Sequence, residues 1–232
     1  MAMILCLETA TRVCSAALIH NGKVLSLRET TAQNSHSALL TTYIRELFDE
    51  AGLSLHDLDA VAVSKGPGSY TGLRIGVSTA KGLCFALEKP LISVSTLLTI
   101  ACGMSAGPLP ESFMPALFVP MIDARRMEVY TAVYGTDLKE LEPPRAEIIT
   151  DQSLQQYRKS HHLLLAGDGA EKSLPFFGED ASLLSGLTLP SSVHMAVEAE
   201  KAFQESRFED VAYFEPFYLK DFIAGQPKVK GL

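Results

Sequence analysis

Residues Lys65–Gly76 read KGPGSYTGLRIG. Four glycines, a proline, a serine and a threonine sit between an apolar run, AVAVS at 60–64, and a helix-like pattern reaching Leu87. Two readings compete. A glycine-rich turn leading into a helix offers backbone N–H groups and the positive end of a helix dipole, which suits a phosphate. The spacing is not that of a Walker loop, because no Gly-Lys-Ser/Thr follows, and Gly66, Gly68 and Gly72 do not fit GxGxxG. The second reading comes from the helix. Gly72, Gly76 and Ala80 recur every four residues and Cys84 continues the line, so one face is nearly smooth. Glycine inside a helix costs about 1 kcal/mol relative to alanine, so two of them call for a close approach, to the chain's own sheet or to a partner. Periodicity alone does not choose.

On the N-terminal side, MILCLE (3–8) and VCSAALIH (13–20) read as buried strands. Asn21-Gly22 is a hairpin turn, because both residues tolerate positive φ, and KVLSLRET (23–30) returns as a third strand. Asn34 and Ser35 cap a helix through Leu39, Leu40, Tyr43, Ile44, Leu47 and Phe48, which Gly52 ends. DAVAVS (59–64) is a strand, Leu73–Leu87 a second helix, LISVS (91–95) a strand and Leu97–Cys102 a short helix. GMSAGPLPES (103–112) then reads as a linker.

Beyond it the opening pattern returns. ALFVPMID (116–123) and MEVYTAVY (127–134) are strands, Gly135–Asp137 a turn, and LKELEPPRAEIIT (138–150) a third strand broken by its prolines. A strand ending in a carboxylate, a short turn and two further strands thus occur twice, at Glu8 and at Asp123. The echo predicts two similar α/β lobes, 1–103 and 104–232, with a cleft between them where ligands bind. A single mixed sheet is the competing reading. The end of the chain, from about 221, is expected to be flexible.

Composition narrows the function. Apolar residues make up 47% of the 232, without the run of about 18 that a membrane span needs, and the N-terminus lacks a signal-peptide pattern. A cytoplasmic protein with no membrane contact is expected. Cys6, Cys14, Cys84 and Cys102 show no CxxC spacing and read as buried reduced thiols. The net charge of −7 argues against a protein that grips nucleic acid alone. Two histidines one helical turn apart would mark a metal site, but Leu40 stands four residues after His36, and His161 and His162 are adjacent. Ser69 and Tyr70 have no evident base beside them, so no hydrolase triad is read. Arg74, in the first turn of its helix, opposes the dipole and is expected to have an acidic partner.

Together KGPGSYTGLRIG, ILCLETAT (4–11), IDARRMEVY (122–130), AGDGA (166–170) and PFYLK (216–220) resemble the TsaB family, also called YeaZ. The resemblance runs in order over nearly the whole chain. It implies two tandem actin-like ATPase (ribonuclease H-like) lobes, each a mixed sheet with flanking helices. It also implies a non-catalytic role in forming threonylcarbamoyladenosine beside the anticodon of tRNAs reading codons that begin with A. The implied partners are a catalytic TsaD, bound through helices of the first lobe, and a small ATPase, TsaE. A homodimer is expected when the chain is alone, and tRNA contact only through the complex.

The resemblance places the interface on His36, Leu39, Leu40 and Tyr43 of one helix and Gly72, Leu73, Arg74, Gly76, Val77 and Ala80 of the other. Actin-like ATPases set acids that hold a nucleotide's magnesium at the positions of Glu8 and Asp123. Family members commonly have aspartate where Glu8 stands, and here the reading prefers carboxylates that cap turns. Glu8, Thr9, Gly66, Gly68, Ser69, Asp123 and Asp168 form the candidate nucleotide or loop site. No firmly bound cofactor is expected, with ATP or ADP and magnesium reserved for the assembled complex. Lys220 replaces the family's arginine and loses two-pronged bonding, which puts a tight carboxylate contact there in question. The rival reading is an enzyme, a nucleotide-binding hydrolase or glycoprotease acting through the cleft.

Overall fold

The structure, a computed structural model, describes residues 2–220 apart from 33–35, 108, 110–114, 185, 187 and 188. The cap expected at Asn34 and Ser35, much of the linker and the tail lie outside the described residues. Strands β1 (Met3–Glu8), β2 (Cys14–His20), β3 (Lys23–Thr30), β4 (Ala60–Gly66) and β5 (Leu91–Ser95) form one sheet in the order β3-β2-β1-β4-β5. Strands β6 (Ala116–Asp123), β7 (Glu128–Gly135), β8 (Glu140–Ile148), β9 (His162–Ala166) and β10 (Ala181–Leu183) form the other, in the order β10-β9-β6-β7-β8. Read from its opposite edge, the second order repeats the first. An antiparallel meander of three strands continues into two parallel ones in each sheet. The echo at Glu8 and Asp123 is therefore a repeat of topology, and the single-sheet alternative falls.

Local chemistry explains most boundaries. β1 is covered on both faces and reads as a continuous apolar run, whereas β3 lies at an edge with exposed and half-buried positions. Asn21 and Gly22 turn the hairpin with φ of 53° and 70°. Helix α1 (His36–Ala51) ends at Gly52, whose φ is +64°. Helix α2 (Tyr70–Leu87) begins earlier than periodicity indicates, because the Ser69 hydroxyl accepts from the Gly72 N–H at 3.3 Å and caps it. Helix α3 (Thr96–Ser105) extends into the expected linker. Pro143 and Pro144 do not break β8. It is an edge strand, where a missing donor is tolerated, and the pairing with β7 shifts register instead.

The cores do not follow the expected division at 103/104. Leu97, Ile100, Ala101 and Met104 of α3 pack with Phe118, Ile122 and Tyr134 of the second sheet. Conversely, beyond the short helices α4 (Gln155–Arg158) and α5 (Ala170–Ser173), Met195 and helix α6 (Ala196–Gln204) cover Ile4, Cys6 and Ile92 of the first. Each sheet thus receives a helix from beyond the other's stretch of chain, which ties the lobes together. The chain then returns along α2. The Lys81 ammonium donates to the carbonyls of Ala212 and Phe214, and the Phe217 N–H to the Lys65 carbonyl at 2.7 Å. All four thiols are free, three of them buried and Cys102 half-buried.

The smooth strip on α2 faces inward, which corrects the interface assignment. Gly72, Leu73, Gly76, Val77 and Ala80 are buried against the first sheet, as is Leu40 of α1. A Cβ at Gly72 would stand 2.1 Å from the Thr9 carbonyl oxygen, and one at Gly76 2.2 Å from Thr9 Oγ1. Thr9 Oγ1 itself donates to the Gly72 carbonyl at 2.8 Å. Helix and strand end meet with only the Thr9 side chain between them and none from the helix, and that is what the glycines are for.

Gly76→Ala is therefore expected to destabilise the chain by about 1–3 kcal/mol in urea denaturation, the usual loss from overpacking, although alanine raises helix propensity by about 1 kcal/mol. In a Thr9→Ala background the same substitution should cost less than half as much. Equal losses in the two backgrounds would show that Thr9 is not the obstacle.

Candidate functional site

Two features stand out once the fold is assembled: the cleft between the lobes and the outer side of the α1–α2 pair. The cleft has a volume of about 990 Å³. Its walls are the turn after β1 (Ala10 to Arg12), the loop and first turn of α2 (Gly68 to Gly72), the turn after β6 (Asp123 to Arg126), Asp168 and the returning segment Phe217–Lys220. Of the candidate nucleotide or loop residues, Gly68, Ser69, Asp123 and Asp168 line it, while Glu8, Thr9 and Gly66 do not.

Glu8 is fully buried. Its Oε1 accepts from the Ala10 N–H at 2.6 Å and from the Ser64 hydroxyl at 3.0 Å, while Oε2 is buried without a partner among the described residues. Burial, more than any other influence, pushes its pKa up to about 7. It is a turn-capping carboxyl that knits β1 to β4. Asp123 reaches the cleft, but its Oδ1 accepts from the Lys172 ammonium and from the Arg125 N–H. Burial works to raise its pKa, yet the Lys172 and Arg125 contacts prevail and the net shift is downward. Asp168 Oδ1 accepts from the Asp123 N–H at 2.8 Å, and burial raises its pKa, with the Asp123 charge adding to that. Magnesium held as in actin-like ATPases does not fit this set. One strand-end acid is sealed inside and the other is neutralised by lysine.

His36 has a structural task. Its Nε2 stands 3.0 Å from the Thr11 carbonyl and 2.8 Å from that of Val13, so this nitrogen carries the hydrogen and ties the start of α1 to the turn after β1. Arg74 does not find the acidic partner expected of it. Among the described residues its guanidinium lies over the Tyr70 ring, 5.0 Å from the centroid, and Tyr70 in turn packs on Tyr218 at 4.9 Å. Lys220, despite its single point charge, does reach a carboxylate, that of Glu128 on β7.

On the outer side, an apolar groove of about 360 Å³ runs between α1 and α2, lined by Ile44, Phe48, Leu53, Leu55, Thr79 and Leu83. Beside it α2 carries a second line of small residues, Ser78, Gly82 and Ala86, all exposed, and Phe85 is 82% exposed. A Cβ at Gly82 would meet nothing within 4 Å. Of the expected interface residues, His36, Leu39 and Tyr43 are half-buried and Arg74 is exposed. Sequence reading missed Gly82 and Phe85 because the inner strip drew attention first. The signal was present in the second four-residue spacing.

A family model described as TsaD, tRNA N6-adenosine threonylcarbamoyltransferase, matches residues 29–227. The tRNA threonylcarbamoyladenosine biosynthesis protein TsaB of Escherichia coli (strain K12) is 33% identical over 230 residues, covering 95% of this chain and 96% of that protein. Among solved structures, YeaZ from Pseudomonas aeruginosa superposes with a TM-score of 0.79 at 28% identity, over 94% of this chain and 100% of the other. An inorganic polyphosphate/ATP-glucomannokinase from Arthrobacter sp. strain KM gives a TM-score of 0.51 at 9% identity, over 88% and 100% of the two chains, a likeness of fold alone. The two lobes thus have the actin-like ATPase fold.

Glu8 gives the molecule a pH signature. Its folded pKa of about 7 lies above the ordinary 4.5, so its stabilising share is complete below pH 4.5 and is lost as pH rises through 7. In urea denaturation, Glu8→Gln should gain on the natural chain by about 3 kcal/mol between pH 4.5 and pH 8. A difference that stays constant across that range would place the carboxyl in water.

Proposed function

We propose, because the chain belongs to the TsaB (YeaZ) family, that it is the non-catalytic, activating scaffold in tRNA threonylcarbamoyladenosine biosynthesis. In this reading it pairs with a TsaD-type transferase, which carries out threonylcarbamoylation of the adenosine beside the anticodon. The observation that carries the pairing is Gly82. A glycine in mid-helix costs about 1 kcal/mol against alanine, and the chain's own packing gives it no reason to be there. It lies exposed beside an apolar groove and next to the exposed ring of Phe85. A partner helix laid across Ser78, Gly82 and Ala86 would approach closely and bury the groove. The face is thus shifted about half a turn round α2 from the inner strip of Gly72, Gly76 and Ala80.

The same face, left open, is expected to pair two copies of this chain when the transferase is absent. A TsaE-like ATPase joins the assembled pair, which is also where nucleotide with magnesium belongs. The net charge of −7 suits a subunit that meets tRNA through the complex. No helix among the described residues is long and apolar enough to cross a membrane. The reading places the work in the cytoplasm. Against a hydrolase of its own stand the buried Glu8 and the lysine-bound Asp123.

The test is association of the purified chain with a TsaD-type transferase, followed by sedimentation or light scattering. The natural chain should form a heterodimer at micromolar concentration. Gly82→Leu should weaken it by about tenfold or more, with a thermal midpoint no lower than that of the natural chain, because leucine is the better helix former. No heterodimer with the natural chain, or full association by the variant, would remove the assignment.

A further inference from the structure

We infer that the uncovered face of β8 seats the chain's own residues 221–224, which extend the returning segment into a strap across both lobes. This goes beyond the scaffold reading and does not rest on it. The surface is the first ground. Directly opposite residues of an antiparallel pair share a face, so Ile148 stands with Glu128, and Ala146 with Tyr130. This is the face that α3 covers on β6 and β7, where Tyr130 packs beside Phe118, Ile122 and Tyr134. The cover stops short of β8, which contributes no residue to that core among the described residues. Ile148 is therefore 65% exposed, whereas Ile149, on the other face, is 2% exposed. With the half-buried Ala146 and Tyr130 beside it, Ile148 forms an apolar strip that the described residues leave open.

The course of the returning chain is the second ground, and it names the occupant. Phe217 and Tyr218 fasten this segment to the first lobe, through the Lys65 carbonyl and the Tyr70 ring. Lys220 then crosses to the second lobe, where its ammonium bonds the Glu128 carboxylate. Glu128 is the residue directly opposite Ile148, and residues so paired stand about 5 Å apart. The chain thus leaves the described residues at the edge of the strip and continues Asp221-Phe222-Ile223-Ala224. Four extended residues span about 13 Å, enough to pass over Ile148 and Ala146. Alternate side chains of an extended segment share a side, so Phe222 and Ala224 follow Lys220 toward the sheet and Ile223 turns away. Charge agrees at the far end. Lys228 stands eight residues beyond Lys220, and the exposed Glu140 eight residues before Ile148. An antiparallel course along β8 brings these opposite charges together.

The chain holds no tryptophan, so Ile148→Trp supplies a single fluorescent reporter at a strand position that suits an aromatic ring. In the full chain its emission should lie at the short wavelengths of a covered indole. Ending the chain after Lys220, or adding Phe222→Ser, should move the emission to that of an indole in water. Ile223→Ser should leave it in place. Chymotrypsin cleavage after Phe222, read by mass spectrometry, tests the same contact without the reporter. Ile148→Ser should speed that cut about tenfold, because cleavage follows the population of undocked tail, while its circular dichroism stays that of the natural chain. A water-exposed emission in the full chain, an emission that truncation leaves unchanged, or equal cleavage with and without Ile148 would overturn the inference. Emission that shifts with protein concentration and not with truncation would overturn it in favour of a second copy on the strip.

Discussion

The architecture depends on one contact, the seating of the glycine face of α2 directly on Thr9 and Ala10 at the end of β1. A Cβ at Gly68 would stand 2.2 Å from the Ala10 carbonyl oxygen, and the Gly72 and Gly76 positions are as tight against Thr9. The Ser69 N–H donates to the Ala10 carbonyl at 2.6 Å, closing the loop onto the strand end. No side chain larger than hydrogen fits along this line. Because the approach is so close, the start of α2 is carried to the mouth of the interlobe cleft, and its far side is left facing solvent next to α1. A single steric requirement thus positions both the cleft wall and the outer face of α2. The returning segment then locks the seat, since its Phe217 carbonyl packs where a Cβ of Gly66 would be, 2.5 Å away.

Much of this was legible in the sequence, because it depends on neighbours a few residues apart. Asn21-Gly22 announced its hairpin through positive φ, Gly52 ended its helix for the same reason, and the strand runs showed their burial by unbroken apolar character. What was illegible depends on distant partners. α2 carries two small-residue lines, Gly72/Gly76/Ala80/Cys84 and Ser78/Gly82/Ala86, and a period of four is common to both. Only the position of Thr9, more than sixty residues earlier, tells the inner from the outer. The exchange of α3 and α6 between the sheets is likewise a matter of long-range packing. The contact of Arg74 is local by contrast, since the Tyr70 ring it lies over stands one helical turn earlier. The choice of a ring over a carboxylate, however, depends on which acids the fold brings near.

Charge organises the cleft by subtraction. The chain as a whole is acidic, with 27 Asp and Glu against 20 Lys and Arg, yet two of the three carboxylates that border the cleft are bound by lysine and the third, Asp168, lies in the field of Arg12. The Lys172 ammonium bonds Asp123 and also the carbonyls of Arg126 and Glu128, so it holds the turn after β6 while cancelling its acid. Lys220 closes the chain's return onto Glu128. Arg12, Arg125, Arg126 and Lys220 line the cavity beside those three carboxylates, so cations outnumber acids by one there. A local surplus opposite in sign to the total is the kind of pattern that net charge hides and geometry exposes.

The two strand-end acids are engaged within the chain's own structure. In each lobe the acid has become a structural tie. Glu8 joins β1 to β4 through Ser64 and caps its own turn through Ala10. Asp123 joins the turn after β6 to helix α5 (Ala170–Ser173) through Lys172. A glutamate suits the first role because its extra methylene lets the carboxyl lie within the sheet's cover, where burial favours the neutral form. A carboxyl sealed inside the lobe is out of reach of a cation in the cleft, so the geometry that stabilises the lobe is the geometry that removes a metal ligand. In the scaffold reading proposed here, another subunit supplies the reacting centre. The open groove beside Gly82, which its own fold leaves uncovered, is where such a subunit would be met.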